Sequence, residues 1–532
     1  MNGVARNDTL TGLLAAQSPD ATAVIYGEES LTYKDLDTRS RKMAAQLQSL
    51  GVGPGDRVAV WLPNTPAYLV IYLACTRLAA IAVAVNTRYR AVEVTDIVAR
   101  SEAKVLATWP GFRNIDFLGI LGSIDYRALS ALEHVIVYAE DEGDSEPPPG
   151  SDRFTSHSYA DLVSETTEPM QADLADPDAG SNIFTTSGTT RAPKFVLHTQ
   201  KSIVRHARDV SSRLAIEAGA ELQVLPLCGV FGFTQAMASI AAGRPMVIMS
   251  AFDPIQAVEL IDRHEVRYLN ATDDMIEALL DADKRDQALP SVRYCGFGSF
   301  NTDPEVVIRG AEGRSLKLIG LYGMSEVQAL FAMQPDDLPM ERRMLGGGQL
   351  VSPGATVRVR DVESGRLKGH GEQGELEIKG PSLFAEYYDN AQATSDAFTS
   401  DGFLRTGDMG YTVDERSFVF LARMGDVLRL GGFLVSPIEI ETYIQEHPSV
   451  AGCQVVAINV AKRMRAVAFT TLQPDGAFDE QALIDFCKLG LAGYKTPVRI
   501  FELADFPVTH SANGTKIQRA KLREWATEWV QK

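Results

Sequence analysis

The chain has 532 residues, which is more than one hydrophobic core normally serves, so we expect at least two domains. Hydrophobic residues make up 45% and charged residues 23%, as in globular proteins, and the formal net charge of −18 disfavours nucleic acid or an anionic membrane as the main partner. The five cysteines are scattered without a C-x-x-C pair and the N-terminus carries no secretory signal, which favours a cytoplasmic protein without a disulfide framework or zinc site.

The first 85 residues contain signals for a capped helix, a strand and a buried helix–strand pair. Thr32 and Asp35 predict a capping box ahead of an amphipathic helix. The apolar run 58–62 follows a Gly-Pro-Gly-Asp turn and predicts a strand. The run 67–85 is the most apolar part of the chain but contains Arg77, so a buried helix and strand explain it better than a membrane span.

Apolar stretches alternate with helical patterns through the middle of the chain. They lie at residues 135–138, 222–227, 245–249, 266–269 and 316–321. One of the helices between them is predicted to begin at the pair Asp253-Pro254. The alternation indicates an α/β fold.

The pattern changes near residue 357, where polar and apolar residues begin to alternate. The alternating segments, which predict half-buried strands of a smaller β subdomain, are 357–360, 374–378 and 417–420. Glycines at 425 and 431–432 predict a hinge. The remaining segment of about a hundred residues is long enough for a small lid domain.

The stretch from Thr186 to Lys194, Thr-Ser-Gly-Thr-Thr-Arg-Ala-Pro-Lys, is the most informative of the chain. Short hydroxyl donors, a freely turning glycine and a nearby cation are what a phosphate-binding loop needs. The strand-like segments 182–185 and 195–198 flank the stretch, so we expect a hairpin loop and not the strand–loop–helix unit of a Walker-type NTPase. Taken alone, the stretch is also compatible with a Ser/Thr-rich surface turn.

Further motifs follow the loop in a characteristic order. They are Tyr322-Gly323-Met324-Ser325-Glu326, Thr406-Gly407-Asp408 with Arg423 after it, Gly493-Tyr494-Lys495-Thr496-Pro497 and Asn513-Gly514-Thr515-Lys516-Ile517. Together with the loop, this set resembles the adenylate-forming superfamily: acyl-CoA synthetases, stand-alone adenylation domains of peptide synthetases, and firefly luciferase. The resemblance covers nearly the whole chain. It implies a large multi-sheet N-terminal domain over residues 1–424, with two α/β subdomains and a β subdomain, and a small mobile α+β lid domain over residues 425–532.

The resemblance implies an acid:CoA ligase that uses ATP and Mg²⁺. Such enzymes join a carboxylate to the α-phosphate of ATP, release pyrophosphate, and then transfer the acyl group to the thiol of coenzyme A. Ser325 would bond the α-phosphate, and Glu326 would bind Mg²⁺ as a hard carboxylate ligand. The residues implied to cover the β- and γ-phosphates are Thr186, Ser187, Gly188, Thr189, Thr190 and Lys194.

The nucleoside would be bound by three further residues. By resemblance, Tyr322 stacks on adenine, while Asp408 and Arg423 bond the ribose hydroxyls. The segment Gly298-Ser299-Phe300 matches the position of the family's adenine loop, but it lacks the usual Gly-Gly-Ala/Ser-Pro texture.

Lys516 is the implied catalytic lysine, which reaches from the lid to the α-phosphate and the substrate carboxylate. Its charge would stabilise the transition state of the first step more than the separated reactants. Gly425 is the implied hinge, at a position where relatives usually have Asp or Lys. Rotation about it would withdraw Lys516 and bring residues 429–433 toward the site.

The acyl pocket implied by the resemblance is apolar. Its candidate residues are Gly229, Val230, Phe231, Gly232, Phe300, Leu321, Gly323 and Met324. Such a lining predicts an apolar acid, and aromatic, alicyclic and medium-chain acids all remain open. The pair Cys228-Gly229 offers no carboxylate to hold the ammonium group of an amino acid. Gly229 stands where relatives often have histidine, and Arg191 where they usually have glycine.

Three alternative functions remain open at this point. The acyl group could pass to a carrier-protein thiol, the adenylate could be oxidised as in luciferases, or the chain could bind nucleotide without catalysis. Lys516, Glu326 and Asp408 argue against the last of these. The expected partners are a small carboxylic acid, ATP and CoA, with no nucleic acid and no membrane span, and a monomer and a homodimer both remain open.

Overall fold

The computed structural model of the protein describes most of the chain. The described residues are 7–112, 115–140, 153–186, 194–214, 219–298, 304–361, 364–423, 428–431, 433–435, 437–511 and 514–531. Within these ranges, no helix combines the length and the apolar character that a membrane-spanning segment needs.

The first part of the chain alternates strands and helices. Its strands are β1 (Thr22–Tyr26), β2 (Glu29–Thr32), β3 (Arg57–Trp61), β4 (Ile81–Ala84), β5 (Val105–Thr108), β6 (His134–Val137), β7 (Thr155–Ser158), β8 (Gly180–Thr186) and β9 (Lys194–Thr199). Its helices are α1 (Leu10–Ala15), α2 (Tyr33–Ser49), α3 (Pro66–Arg77), α4 (Ala91–Arg100), α5 (Phe117–Gly122) and α6 (Tyr159–Leu162).

The middle part continues the alternation, as its apolar stretches predict. Its strands are β10 (Glu221–Gln223), β11 (Met246–Ile248), β12 (Tyr268–Thr272), β13 (Tyr294–Gly298), β14 (Leu318–Met324), β15 (Gln328–Met333) and β16 (Gly347–Leu350). Its helices are α7 (Gln200–Leu214), α8 (Val230–Ala242), α9 (Pro254–Arg263), α10 (Asp273–Ala282), α11 (Pro304–Glu312) and α12 (Met340–Arg343).

The last part is richer in strands. Its strands are β17 (Thr356–Arg360), β18 (Gly374–Lys379), β19 (Glu386–Tyr387), β20 (Leu404–Thr412), β21 (Ser417–Arg423), β22 (Leu428–Leu430), β23 (Phe433–Val435), β24 (Val450–Val460), β25 (Arg463–Leu472), β26 (Arg499–Glu502), β27 (Val508–Ser511) and β28 (Gly514–Ile517). Its helices are α13 (Ala391–Ala397), α14 (Pro437–Gln445), α15 (Glu480–Gly490) and α16 (Arg519–Gln531).

Local sequence signals set several element boundaries. Thr32 and Asp35 form the predicted capping box at the start of α2, with each side chain bonded to the other residue's backbone N–H. Asp253 caps α9, whose first residue is Pro254. Polar groups that satisfy the first N–H groups of a helix explain why these starts can be recognised from sequence.

The first α/β subdomain has an eight-stranded sheet in the order β19-β9-β8-β4-β3-β5-β6-β7. Helix α3 is buried along its whole length and leads into the buried strand β4, which confirms the buried helix and strand predicted for the most apolar run. Arg77 at the end of α3 is fully buried. Its charge is balanced there by Asp37 at 2.6 Å and Asp173 at 3.0 Å.

The second sheet joins the second α/β subdomain to the β-rich segment that follows it. Its thirteen strands have the order β17-β18-β20-β21-β16-β15-β14-β13-β12-β10-β11-β1-β2. The strands from β11 to β14 run parallel, whereas β14 and β15 run antiparallel, as do the pairs beyond them. The carboxyl end of β14 therefore marks the change from parallel to antiparallel pairing, a place where α/β folds tend to bind ligands.

The lid segment has a hydrophobic core of its own. Strands β24, β25 and β26 form a three-stranded sheet, with two separate hairpins, β22–β23 and β27–β28. One buried cluster lies between this sheet and helices α14 and α15, and a second lies between the sheet and α16. Gly425, the predicted hinge, lies outside the described residues.

Candidate active site

The predicted phosphate loop connects two strands that pair as a hairpin. Strands β8 and β9 are antiparallel, with Thr186 opposite Lys194, as the sequence predicted. The ammonium of Lys194 lies 4.3 Å from the centre of the Tyr387 ring. Ser187, Gly188, Thr189 and Thr190 lie outside the described residues.

The segment 322–326 lies where β14 ends and the chain turns back into β15. Met324 is the last residue of β14, and a single 3₁₀ turn, Ser325–Val327, links the two strands. Gly323 lets the two strands approach closely, because a Cβ there would lie 2.6 Å from Ala329 Cα. The turn therefore presents Ser325 and Glu326 at the carboxyl end of the parallel strands.

Glu326 is held in place by contacts to a distant segment. Its carboxylate Oε1 accepts a hydrogen bond from Tyr387 Oη at 2.7 Å, and its carbonyl accepts one from Phe384 N at 2.8 Å. Glu326 is 7% exposed. The tyrosine hydroxyl partly solvates the buried carboxylate and fixes its orientation.

His198 anchors the same turn from the other side. Its Nε2–H donates to the carbonyl of Ser325 at 2.7 Å, which ties strand β9 of the phosphate hairpin to the turn. Burial lowers the pKa of His198 to about 4, so the ring is neutral at neutral pH. A neutral imidazole can donate this bond without bringing a charge next to the phosphate site.

We expect His198 to make the stability of the protein depend on pH in one defined window. In the folded protein the buried ring of His198 resists protonation, whereas in the unfolded chain it takes up a proton below about pH 6.5. The free energy of unfolding therefore decreases as pH falls from about 6.5 to about 4. The loss attributable to this group is about 3 kcal/mol. The measurement is the free energy of urea unfolding of the wild type and of His198→Asn at several pH values. If the difference between the two proteins does not change with pH, the role given to His198 is contradicted.

Tyr322 and Asp408, both predicted to bind the nucleoside, are in direct contact. Tyr322 Oη donates to Asp408 Oδ2 at 2.7 Å, and both side chains are buried. The tyrosine ring packs edge-on against Phe418, with centroids 5.0 Å apart. Gly407, with φ of +66°, precedes Asp408 within β20, where the pairing of β20 with β18 is irregular.

The other predicted nucleoside residues are described only in part. The backbone of Arg423 pairs with that of Asp408 across β20 and β21, and its side chain lies outside the described atoms. Gly298 ends β13, next to β14 in the sheet. Ser299 and Phe300 lie outside the described residues.

The candidate pocket residues line the start of α8 and the end of β14. Val230, Phe231 and Leu321 are half-buried members of one apolar cluster. Met324 is half-buried as well, and Gly229 precedes α8 as its N-cap residue. Gly232 is buried, and a Cβ there would lie 2.4 Å from the Leu225 carbonyl oxygen, so close packing requires a glycine at this position.

The lid docks on the N-terminal domain through a buried ion pair. Lys495 Nζ lies 3.1 Å from Glu93 Oε1 of helix α4 and 2.6 Å from Glu439 Oε1 of the lid. The backbone N–H of Ala492 donates to the same Glu93 oxygen at 3.0 Å. Burial disfavours the charge of Lys495, but the two carboxylates more than offset this and raise its pKa.

The hairpin β22–β23 makes a second contact between the two domains. The Phe433 ring stacks on Tyr494, with centroids 4.5 Å apart, and Arg88 of the N-terminal domain lies 5.5 Å from the centre of the same Phe433 ring. Arg88 in turn lies close enough to Cys228 to oppose the burial that raises the pKa of this thiol to about 11. The hairpin therefore contacts the N-terminal domain next to the segment that precedes α8.

Lys516 is described by its backbone alone. It lies in β28, opposite Thr509 of β27. Arg519, three residues later, pairs with Glu441 of the lid at 2.9 Å, so the hairpin that carries Lys516 is tied to the lid.

Sequence reasoning missed three residues that the structure brings to the site. Tyr387 bonds Glu326, His198 bonds the Ser325 carbonyl, and Glu93 receives the lid lysine. Each pair is separated by 61 residues or more along the chain. A polar residue in an apolar strand was the only available signal for His198, and nothing in the sequence marked Tyr387 or Glu93.

Comparisons with known proteins match nearly the whole chain. A family model of AMP-binding enzymes matches residues 14–388, and a model of the C-terminal domain of AMP-binding enzymes matches residues 439–513. A long-chain-fatty-acid–CoA ligase of Bacillus subtilis (strain 168) is 29% identical over an alignment of 550 positions. The alignment covers 98% of this chain and 95% of that protein.

Two solved structures of the o-succinylbenzoate CoA synthetase of Bacillus subtilis are similar to the chain to different degrees. A double mutant bound to a product analogue has a TM-score of 0.81 at 24% identity, covering 97% of this chain and 98% of that one. The complex with AMP has a TM-score of 0.66 at 25% identity, covering 97% of each chain.

Proposed function

The chain belongs to the AMP-binding enzyme family and is an AMP-forming acid:CoA ligase, and we propose that its acid is apolar: aromatic, alicyclic or medium-chain. The acid is activated to an acyl-adenylate with release of pyrophosphate and then transferred to the thiol of coenzyme A. The observation that carries the proposed acid class is the apolar cluster that contains the pocket candidates Val230, Phe231 and Leu321. It includes Leu321 of β14, whose end holds the contact between Tyr322 and Asp408 and the turn with Ser325 and Glu326.

In the first step, a carboxylate oxygen attacks the α-phosphorus and pyrophosphate leaves. Two anions must approach each other, so oriented donors and cations are needed to lower the barrier. We assign the α-phosphate contact to Ser325, whose turn is held by His198, and the transition-state charge to Lys516. Lys194, at the end of the phosphate hairpin, would contribute charge beside the outer phosphates.

Glu326 fits the role of a Mg²⁺ ligand. Mg²⁺ prefers hard oxygen ligands and commonly binds one or two carboxylates together with substrate phosphates. When bound, Mg²⁺ would neutralise phosphate charge, and Tyr387 would orient the carboxylate toward it.

Coupling of Tyr322 to Asp408 supports a nucleoside site. The hydroxyl of Tyr322 fixes the orientation of the Asp408 carboxylate, to which we assign the binding of the ribose hydroxyls. The ring of Tyr322, held edge-on by Phe418, would form the surface on which adenine stacks.

We expect Asp408→Asn to raise the KM for ATP by about 10- to 100-fold, because hydrogen bonds to a charged group contribute about 1.5–3 kcal/mol. Tyr322→Phe is the matched control, since it keeps the ring and removes the bond to Asp408, and we expect a much smaller change. The measurement is acid-dependent ATP–pyrophosphate exchange over a range of ATP concentrations. A wild-type KM for ATP in Asp408→Asn would contradict the ribose assignment.

Thiol transfer is supported by the docking of the lid. Phe433 of the hairpin β22–β23 packs against Arg88 of the N-terminal domain, and Lys495 is buried against Glu93.

The proposed function is tested by acid-dependent ATP–pyrophosphate exchange across fatty acids of graded length, aryl acids and alicyclic acids. Thioester formation is then followed with CoA and, separately, with a pantetheinylated carrier protein. We expect exchange with at least one apolar acid and transfer to CoA. No exchange with any acid would contradict the proposal, and transfer to the carrier alone would favour the carrier-loading alternative.

A further inference from the structure

Gln328 has a backbone conformation that residues other than glycine rarely adopt. It follows the turn Ser325–Val327 directly, with φ of +65° and ψ of +165°, in a region that is populated almost only by glycine. Leu330, two residues further along β15, also has a positive φ, of +62°. Holding Gln328 in this region is unfavourable by itself, so the surrounding contacts must offset the strain.

The strained backbone lies where the two strands on either side of the turn approach each other most closely. The carbonyl oxygen of Gln328 would lie 2.8 Å from a Cβ at Gly323 in β14. The pairing of β14 with β15 also shifts register between Tyr322 and Met324, which is the same end of the two strands. The shape of the turn between them therefore depends on the conformation of Gln328.

Three hydrogen bonds hold the turn and the start of β15 against β9 and α7. Each joins a backbone carbonyl on one side to a side-chain N–H on the other. The pairs are His198–Ser325 at 2.7 Å, Ser202–Gln328 at 3.1 Å and His206–Ala329 at 2.7 Å. The turn is thus fixed at its first residue and at the two residues that follow it.

The side chain of Gln328 is not explained by the stability of the fold. It is fully buried, and although its Nε2 donates to Ser202, its Oε1 has no hydrogen-bond partner in the part of the chain that the structure describes. A buried amide oxygen without a partner is unfavourable. Gln328 therefore combines backbone strain with an unmet acceptor, and such exceptions are expected where function requires them.

We propose that Gln328 is a positioning residue, which lowers the stability of the fold and fixes the turn that carries Ser325 and Glu326. This rests on the proposed function of the site. With the turn held by the strained backbone and by the bond to Ser202, the Ser325 hydroxyl and the Glu326 carboxylate need little rearrangement when ATP and Mg²⁺ bind.

A comparison of Gln328→Gly with Gln328→Ala tests the strain. Both variants lack the amide, and only alanine keeps a Cβ. In an ordinary strand alanine is the more stable of the two, but here we expect the reverse, with an unfolding constant in urea experiments about tenfold or more smaller for glycine. Folding of the glycine variant alone would support the strain in the same way. An alanine variant at least as stable, or a glycine variant that does not fold, would overturn the inference.

The Mg²⁺ dependence of ATP–pyrophosphate exchange in Gln328→Gly tests the positioning. We expect the Mg²⁺ concentration at half-maximal exchange to rise by about tenfold, because loss of a group that orients a metal ligand commonly weakens metal binding by about 10- to 100-fold. The KM for the acid should stay at the wild-type value. A merely structural role would leave the Mg²⁺ dependence of the folded variant unchanged.

Ser315→Gly is the matched control. Ser315 has a φ of +61° as well, but it is exposed and precedes the opposite end of β14 from the turn. Glycine there also relieves a positive φ and should leave the Mg²⁺ dependence of exchange as in the wild type.

Two outcomes of the exchange experiment would overturn the positioning role. They are an unchanged Mg²⁺ dependence in Gln328→Gly and an equal rise in Ser315→Gly. Absence of exchange with every acid in the wild type would contradict the proposed function, and the positioning role would fall with it. The order of stability of the glycine and alanine variants is measured without substrate, so it decides the strain at Gln328 in either case.

Discussion

Lys516→Ala is expected to slow acid-dependent ATP–pyrophosphate exchange by about 10²–10³, the usual cost of removing an electrostatic donor to a transition state. Thioester formation from supplied acyl-adenylate should retain much of its rate, because the proposed rotation of the lid would withdraw the lysine from the site in that step. The two half-reactions are measured separately, exchange without CoA and thioester release with synthetic acyl-adenylate.

Lys488→Ala is the control for this experiment. Lys488 lies on the same domain, is 57% exposed and pairs with Asp485 at the surface, so its removal should change neither half-reaction. Equal damage to both half-reactions in Lys516→Ala would contradict the proposed role of this lysine.

Glu93→Gln is expected to produce the opposite pattern. It removes the charge that receives Lys495 and the Ala492 N–H, so the docked lid orientation loses a buried, hydrogen-bonded partner. Truncating one side of such a pair costs about 2–5 kcal/mol, and we expect thioester formation to fall by about 30-fold or more. Exchange without CoA should be unchanged or faster, because the lid spends less time in the docked orientation.

Asp96→Asn provides the matched comparison. Asp96 is on the same helix as Glu93, but its partner is the i+4 residue Arg100 and the pair is partly exposed. Such pairs contribute about 0.3–0.5 kcal/mol, so both half-reactions should stay near wild type. A loss of exchange in Glu93→Gln with thioester formation intact would contradict the role given to the lid contact.

Local signals in the sequence were sufficient for elements whose determinants lie close together. Thr32 with Asp35 and Asp253 with Pro254 mark helix starts, because the capping groups and the N–H groups they satisfy are within three residues of each other. The hairpin around the phosphate loop was predicted because an extended segment on each side limits what a short loop can connect.

Contacts between distant segments were beyond single-sequence reasoning. Lys495 and Glu93 are separated by 402 residues, and although Lys495 lies in one of the sequence motifs, nothing in the sequence indicates that Glu93 is its partner. The glycine at 323 was interpreted as pocket lining, whereas its backbone also lies too close to Ala329 for any side chain. The strands after residue 356 were expected to form a separate subdomain. Their connection to the larger sheet could not be predicted, because the pairing of β16 with β21 involves residues about seventy positions apart.

The most direct test of the central claim follows the oxygen atoms of the acid. In the proposed sequence a carboxylate oxygen bonds to the α-phosphorus as pyrophosphate leaves, and it remains on AMP when the thiolate of CoA takes the acyl group. With ¹⁸O-labelled carboxylate, mass spectrometry of the products should therefore find one labelled oxygen in AMP and none in pyrophosphate. Unlabelled AMP, or label recovered in inorganic phosphate together with ADP, would contradict an acyl-adenylate and the assignment of this site.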